Sequence, residues 1–148
     1  GLEIQPKNTN ALFQYGNLFL MEKNYNKALL KYNKIIEIKS NFWQAINNKG
    51  LIYYEQDEIL LAINNFTKAI EIEKNAESIL ALGVSLKNSN KEKSLLLVKE
   101  ALQKNPNYVS FEFREKQLWG PKLQKATEEL FKIEELSKDI AIANLYKN

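Results

Sequence analysis

The sequence predicts an all-α fold: antiparallel helix pairs stacked as a solenoid, with one or more extra helices at the C-terminal end. Three observations predict it. Thr9 to Ser40 recurs at a step of 34 residues, Gly16 returning as Gly50, Ala28 as Ala62, Tyr32 as Phe66 and Ile36 as Ile70. A fixed period near 34 with small and aromatic residues at constant phase marks a helical repeat, whose units bury their apolar faces by stacking on neighbours. Within each period, apolar residues recur at steps of three and four, the spacing of one helix face. A third, compressed copy follows before the pattern fades.

Thr9 is the expected N-cap of the first helix, and Ala11, Leu12, Tyr15, Phe19 and Glu22 follow at helical spacing. That helix should end at Lys23-Asn24, and Tyr25 should open a second with Ala28, Tyr32, Ile35 and Ile36 inward. Gly16 and Ala28 are expected to leave room for each other's helix backbone, because a mid-helix glycine that recurs at one phase costs roughly 1 kcal/mol in propensity and needs a packing reason. The second unit repeats the arrangement with Ile46, Gly50, Tyr53, Ala62, Phe66, Ala69 and Ile70. It departs at Lys49, which stands where the first unit has Tyr15; its stem is expected along the interface with the amine in water. In the third unit Gly50 to Gly83 is 33 residues and Ala62 to Ser94 is 32, so about two residues are lost from turns. Ile79, Leu82, Gly83 and Leu86 belong to one helix, Ser94, Val98, Ala101 and Leu102 to the next, and Asn88-Ser89-Asn90 to the turn between them.

The expected divisions are 1–8, the end of a preceding repeat or a remnant; 9–42, 43–75 and 76–107, three repeats; and 108–148, a capping helix with an amphipathic helical segment. Leu2 to Asn8 matches the closing phase of a repeat, so an earlier repeat or an anchor is expected upstream. After Tyr108, Phe111, Phe113 and Leu118 suggest one more helix, stopped by Gly120, with Pro121 suited to the first turn of the next. Leu123, Ala126, Leu130, Ile133, Leu136, Ile140 and Ala143 then form one apolar stripe, with an interruption expected near Ile133–Ser137. Two roles stay open for that tail: a cap over the last repeat, or a partner-binding or dimerising helix.

Composition limits the chemistry. At 148 residues with 45% hydrophobic and 26% charged, the chain is an ordinary one-domain globular sequence. It has no cysteine and no histidine, which removes disulfides, thiolate nucleophiles, imidazole bases and almost every zinc site. No metal and no cofactor is expected. The net charge of +3 comes from lysines and a single arginine, Arg114, and the seven cations and seven anions from Val109 onward cancel. A basic face for nucleic acid is therefore not expected. No apolar run approaches the ~18–20 residues that span a bilayer. Glu128-Glu129 and Glu134-Glu135 are adjacent pairs that diverge on a helix, and Asp57 and Asp139 are the only aspartates, so no acid–base pair assembles and the chain is not expected to be an enzyme. Gly16, Gly50 and Gly83 are isolated within helices and make no phosphate loop.

The order of small, aromatic and proline positions resembles the tetratricopeptide repeat, through Gly16, Tyr25, Ala28 and Tyr32, then Gly50, Tyr53, Ala62, Phe66 and Ala69, then Gly83, Ala101 and Pro106. The match covers residues 2–107. The family's usual tryptophan phase holds Leu12, Ile46 and Ile79. The resemblance implies a right-handed superhelix whose first helices line a concave groove that receives protein segments. Its groove phases fall on Asn10, Phe13, Asn17, Leu20 and Met21; on Gln44, Asn47, Asn48, Leu51, Tyr54 and Glu55; and on Glu77, Leu80, Ala81, Val84 and Lys87. One branch of the family grips a chaperone's C-terminal carboxylate with cations and two asparagines. Here Asn17 and Asn48 hold the asparagine phases, but Phe13, Glu77 and Ala81 hold the cationic ones, so no such clamp is expected. The asparagines are left as either peptide-backbone ligands or ordinary helix-surface amides.

What replaces the clamp is apolar, and it fits an amphipathic or apolar segment in helix-in-groove mode. The expected function is a non-catalytic protein–protein interaction scaffold, one suited to assembly of a larger membrane or photosynthetic complex. Two bland readings compete, in which the chain's own tail or an upstream segment fills the groove. An RNA-binding array of pentatricopeptide type, whose period is 35, is the alternative from another class. Self-association, as a homodimer through the C-terminal helix or the groove, is another. The location is left open between cytoplasmic and membrane-associated through an upstream segment.

Overall fold

A computed structural model describes residues 8–148. The expected closing phase of an earlier repeat, Leu2 to Lys7, lies outside the described residues. The described chain forms helices α1 (Thr9–Met21), α2 (Tyr25–Ile38), α3 (Trp43–Glu55), α4 (Ile59–Ile72), α5 (Ala76–Ser85), α6 (Lys91–Lys104), α7 (Phe111–Lys116), α8 (Pro121–Leu130) and α9 (Ser137–Tyr146), with short 3-10 turns at Pro106–Val109 and Glu134–Leu136. No strand occurs among them. The closest partners are α1 with α2, α3 with α4 and α5 with α6, and each pair stacks on the next through α2–α3 and α4–α5.

The N-cap of α1 is Asn8, one residue before the expected Thr9, and its side chain accepts from the amide of Ala11. Asparagine competes well for that role, and Asn24, Asn75 and Asn90 cap α2, α5 and α6 in the same way. Helices α1 and α3 end at one phase of the period: Lys23 and Asp57 adopt left-handed φ of 60° and 64°. There Asn24 N donates to Phe19 O and Glu58 N donates to Tyr53 O, closing the terminal turn as a Schellman-type cap.

The recurrent glycines serve a different purpose from the one expected. A Cβ at Gly16 would lie 2.6 Å from Cε1 of Tyr32, and one at Gly50 would lie 2.5 Å from Cε1 of Phe66. The vacancy thus receives the recurrent aromatic ring, not a helix backbone. Only in unit three, where Val98 replaces the ring, does the backbone itself come close: Gly83 would place a Cβ 3.2 Å from the carbonyl oxygen of Ser94. Ser94 occupies the alanine phase and donates its hydroxyl to Gly83 O at 2.6 Å. The two missing residues are explained by a connection between α4 and α5 that is one residue shorter, and by α5 losing three residues while the following turn gains two.

Beyond α6 the stripe from Leu123 to Ala143 is no single helix. It breaks after Leu130 and restarts at Ser137, around the expected interruption. The two pieces go to different places: α8 packs on α3 and α5, and α9 packs on α6 and the Pro106–Val109 turn.

Candidate functional site

The inner helices of the three units differ sharply in exposure. On α1 only Gly16 and Leu20 are buried, on α3 eight residues are, and on α5 every residue except Glu77 is. Two coverings cause this: α3 and α5 stack on α2 and α4 of the preceding units, and the C-terminal segment covers them from the other side. Helix α8 lies against α3 and α5, with Leu123 fully buried and Trp119 at 4% exposure. The tail-in-groove arrangement is therefore the one the chain adopts over units two and three.

This relocates most of the expected groove. Leu51, Leu80, Ala81 and Val84 are at 0–1% exposure, and Asn47, Asn48 and Tyr54 are buried as well. Lys87 is half-buried beside Val84, Ala126 and Glu129 at one margin of α8. Gln44, Asn10 and Met21 are exposed, and Phe13 and Asn17 are half-buried. Phe13 packs against the rings of Tyr32 and Phe42, with centroids 6.0 and 5.2 Å away. Leu20 is at 6% exposure, facing a hollow.

The asparagines fit neither reading left open. They form an internal ladder across the stacked units. Tyr32 donates its hydroxyl to Asn17 Oδ1 at 2.6 Å, Asn48 Nδ2 donates to the same oxygen at 3.0 Å, Asn47 Nδ2 donates to Asn48 Oδ1 at 3.1 Å, and Ser78 Oγ donates to Asn47 Oδ1 at 2.7 Å. Burial of these polar groups is tolerable because each finds a partner. Burial also drives the Tyr32 phenol well above its ordinary pKa.

The tail is held by groups that the sequence reading placed elsewhere. Glu55, expected to face a partner, accepts from the amides of Lys122 and Leu123, each at 3.0 Å. It caps α8 from across the groove. A Cβ on Gly120 would fall 2.4 Å from Cδ of Glu55, so glycine at this position leaves the space that the carboxylate occupies. Asp57 accepts from the Lys122 amine at 2.6 Å. Trp119 Nε1 donates to Glu77 Oε2 at 3.0 Å. Desolvation raises the Glu77 carboxyl to about 7, while donors on Trp119, Asn47 and Tyr108 pull it the other way. On α7, Arg114 is fully buried; it donates to Gln124 Oε1 and Tyr108 O at 2.8 Å each and pairs with Glu128. Its desolvation lowers its pKa, opposed by Glu128.

One signal of the covered groove was present in the chain. Apart from Glu77, the α5 sequence AESILALGVS holds only small or apolar residues, and a helix of that kind is buried on nearly every side.

An open hollow of about 430 Å³ remains on the concave side, between unit one and the edge of the tail. Leu20, Met21, Tyr25, Leu51, Leu118 and Trp119 supply its apolar walls, and Lys23, Glu55 and Glu115 its polar ones. No group of side chains among the described residues is arranged to hold a metal ion. No helix among them is long and apolar enough to cross a membrane.

No family model matches the chain. The TPR repeat-containing protein MJ1428 of Methanocaldococcus jannaschii is 37% identical to it over 97 residues, which are 62% of this chain and 17% of that protein. A crystal structure of MamA superposes with a TM-score of 0.67 at 17% identity, covering 97% of this chain and 82% of that one. The fold is that of a tetratricopeptide-repeat solenoid. A second MamA structure agrees, with a TM-score of 0.65 at 19% identity over 99% of this chain and 81% of that one. The N-terminal domain of stress-induced protein-1 (STI-1) from C. elegans matches with a TM-score of 0.52 at 22% identity, over 86% of this chain and 97% of that domain. The tetratricopeptide array spans only a small part of its curated relative, and at these identities the solved structures speak for the fold alone. At the phases of a carboxylate clamp the array holds Phe13, packed on two rings, Glu77, bonded to an indole, and the buried Ala81.

Proposed function

We propose that this tetratricopeptide array is a non-catalytic scaffold that binds an apolar or amphipathic protein segment on its concave side. Binding begins at unit one, where no described residue covers the inner face of α1. The observation that carries this reading is the hollow beside Met21. Met21 is 63% exposed at its rim, Leu20 and Leu51 form its floor, and the Trp119 to Pro121 edge of the tail closes its far side. Exposed apolar surface of this kind marks a partner site, and methionine adapts to varied shapes. Asn10, Phe13 and Asn17 continue the same open face along α1.

The test is a photo-crosslinking residue placed at Met21 and, as a control, at Leu30, which is 69% exposed on α2. Crosslinks to one protein species at Met21 and none at Leu30 are the expected result. Equal labelling at both positions overturns the assignment.

A second reading has an observation of its own. Ile142, Leu145 and Tyr146 on α9 are 45%, 79% and 72% exposed, an apolar strip on the side away from the groove. Self-association through α9 would use it. Sedimentation equilibrium of the wild type and of Leu145→Glu decides, with a dimer lost in the variant as the supporting outcome and a monomer in both as the contrary one.

A further inference from the structure

We infer that the concave face of units two and three is a receptor for the N-terminal end of a helix. In the resting chain its own Trp119–Leu130 segment fills it, and a helix of the same chemistry in another protein displaces that segment. The inference rests on the scaffold reading above and names its ligand.

The receiving groups are all acceptors, and the seated segment meets them with donors. Glu55 takes two backbone amides of the first turn of α8, Glu77 takes the indole of Trp119, and Asp57 takes the Lys122 amine. A tetratricopeptide groove with cations at these places would suit a chain end bearing a carboxylate; this one has the opposite sign and suits the positive end of a helix. Shape adds to charge. Gly120 leaves the space that the Glu55 carboxylate fills, and Pro121 takes the first helical position, where a missing amide costs nothing. Helix α8 carries no cap of its own, so its N-terminus is completed only when it is seated.

The seat also has the features of one that empties. The Lys122–Asp57 pair is exposed on both sides, and the hollow opens directly beside Trp119, Gly120 and Pro121, so a competitor reaches the end of the segment first. The competing helix is thereby specified: tryptophan, then glycine, then proline or a good helix former, no acid in the first turn, and apolar residues at the phases of Leu123, Ala126 and Leu130.

The probe is a fluorescent peptide of residues 108–131 added to the intact chain. Because a tethered segment competes at roughly millimolar effective concentration, the wild type is expected to bind it weakly. Gly120→Ala in the chain unseats the internal segment, and affinity for the unaltered peptide should rise tenfold or more. Adding Glu55→Ala to that chain should remove the gain, and a peptide carrying Gly120→Ala should bind at least tenfold more weakly. A Gly120→Ala chain that binds no better than wild type, or a variant peptide that binds equally well, overturns the inference. If Gly120→Ala does not fold, native-state hydrogen exchange of the wild type decides. Opening of Phe111–Leu130 separately from α3–α6 supports a displaceable segment, and exchange only through global unfolding overturns it. Crosslinking at Met21 is independent of these arms, so a positive result there beside a failed peptide leaves the scaffold standing and removes only the helix receptor.

Discussion

At Gly50 the close approach of the Phe66 ring leaves no room for a methyl group. Gly50→Ala is therefore expected to destabilise the array by about 1–3 kcal/mol through overpacking, despite the better helix propensity of alanine. Adding Phe66→Leu should return part of the loss, and thermal melts of the two variants check it. A different balance operates at Glu77. Its folded pKa is about 7 against an ordinary 4.5, raised by desolvation. The seated form thus binds the proton more tightly than the released one. The stability this group contributes is fully present below its ordinary pKa, falls as pH rises toward about 7, and levels off above that. Wild type should lose melting temperature between pH 5 and pH 8 relative to Glu77→Gln. Parallel pH profiles would contradict the assignment.

At the scale of the element, Arg114 joins α7 to α8. Its loss leaves Gln124 Oε1 and Tyr108 O without their donor, whereas Glu128 is 46% exposed and can return to water. Arg114→Ala should therefore cost about 2–4 kcal/mol. Hydrogen exchange should show the loss in α7, α8 and the Pro106–Val109 turn before α1–α4. The paired helices themselves were legible in the sequence, since Gly16, Ala28, Tyr32 and their 34-residue echoes carry the local packing rule in residue identity. Placement of the tail was less legible. The stripe from Leu123 to Ala143 has helical spacing across a break, and periodicity within one segment does not tell which partner face it meets. Arg114 read only as the chain's single arginine, because burial of a charge depends on acceptors at Tyr108, Gln124 and Glu128 that meet only in three dimensions. The apolar residues of the inner helices were visible, but their burial was not, because Leu51, Leu80 and Val84 look alike whether a partner or the chain's own α8 covers them. The small and apolar residues of α5, Glu77 aside, were a clue that this helix is covered, without naming what covers it.

At the scale of the whole molecule, a tetratricopeptide array must cover the last exposed face of its stack, and this chain does so twice, with α9 on α6 and with α8 on the inner surface of α3 and α5. Among the described residues, what is left uncovered is the inner face of unit one, while units two and three are filled. The most direct test of the filled groove uses Trp119 as its own reporter in a Trp43→Phe background. At 4% exposure and bonded to Glu77, Trp119 should emit at short wavelength and resist acrylamide quenching, and Glu55→Ala should make it more accessible. A solvent-like emission that is freely quenched in the parent chain would contradict the account.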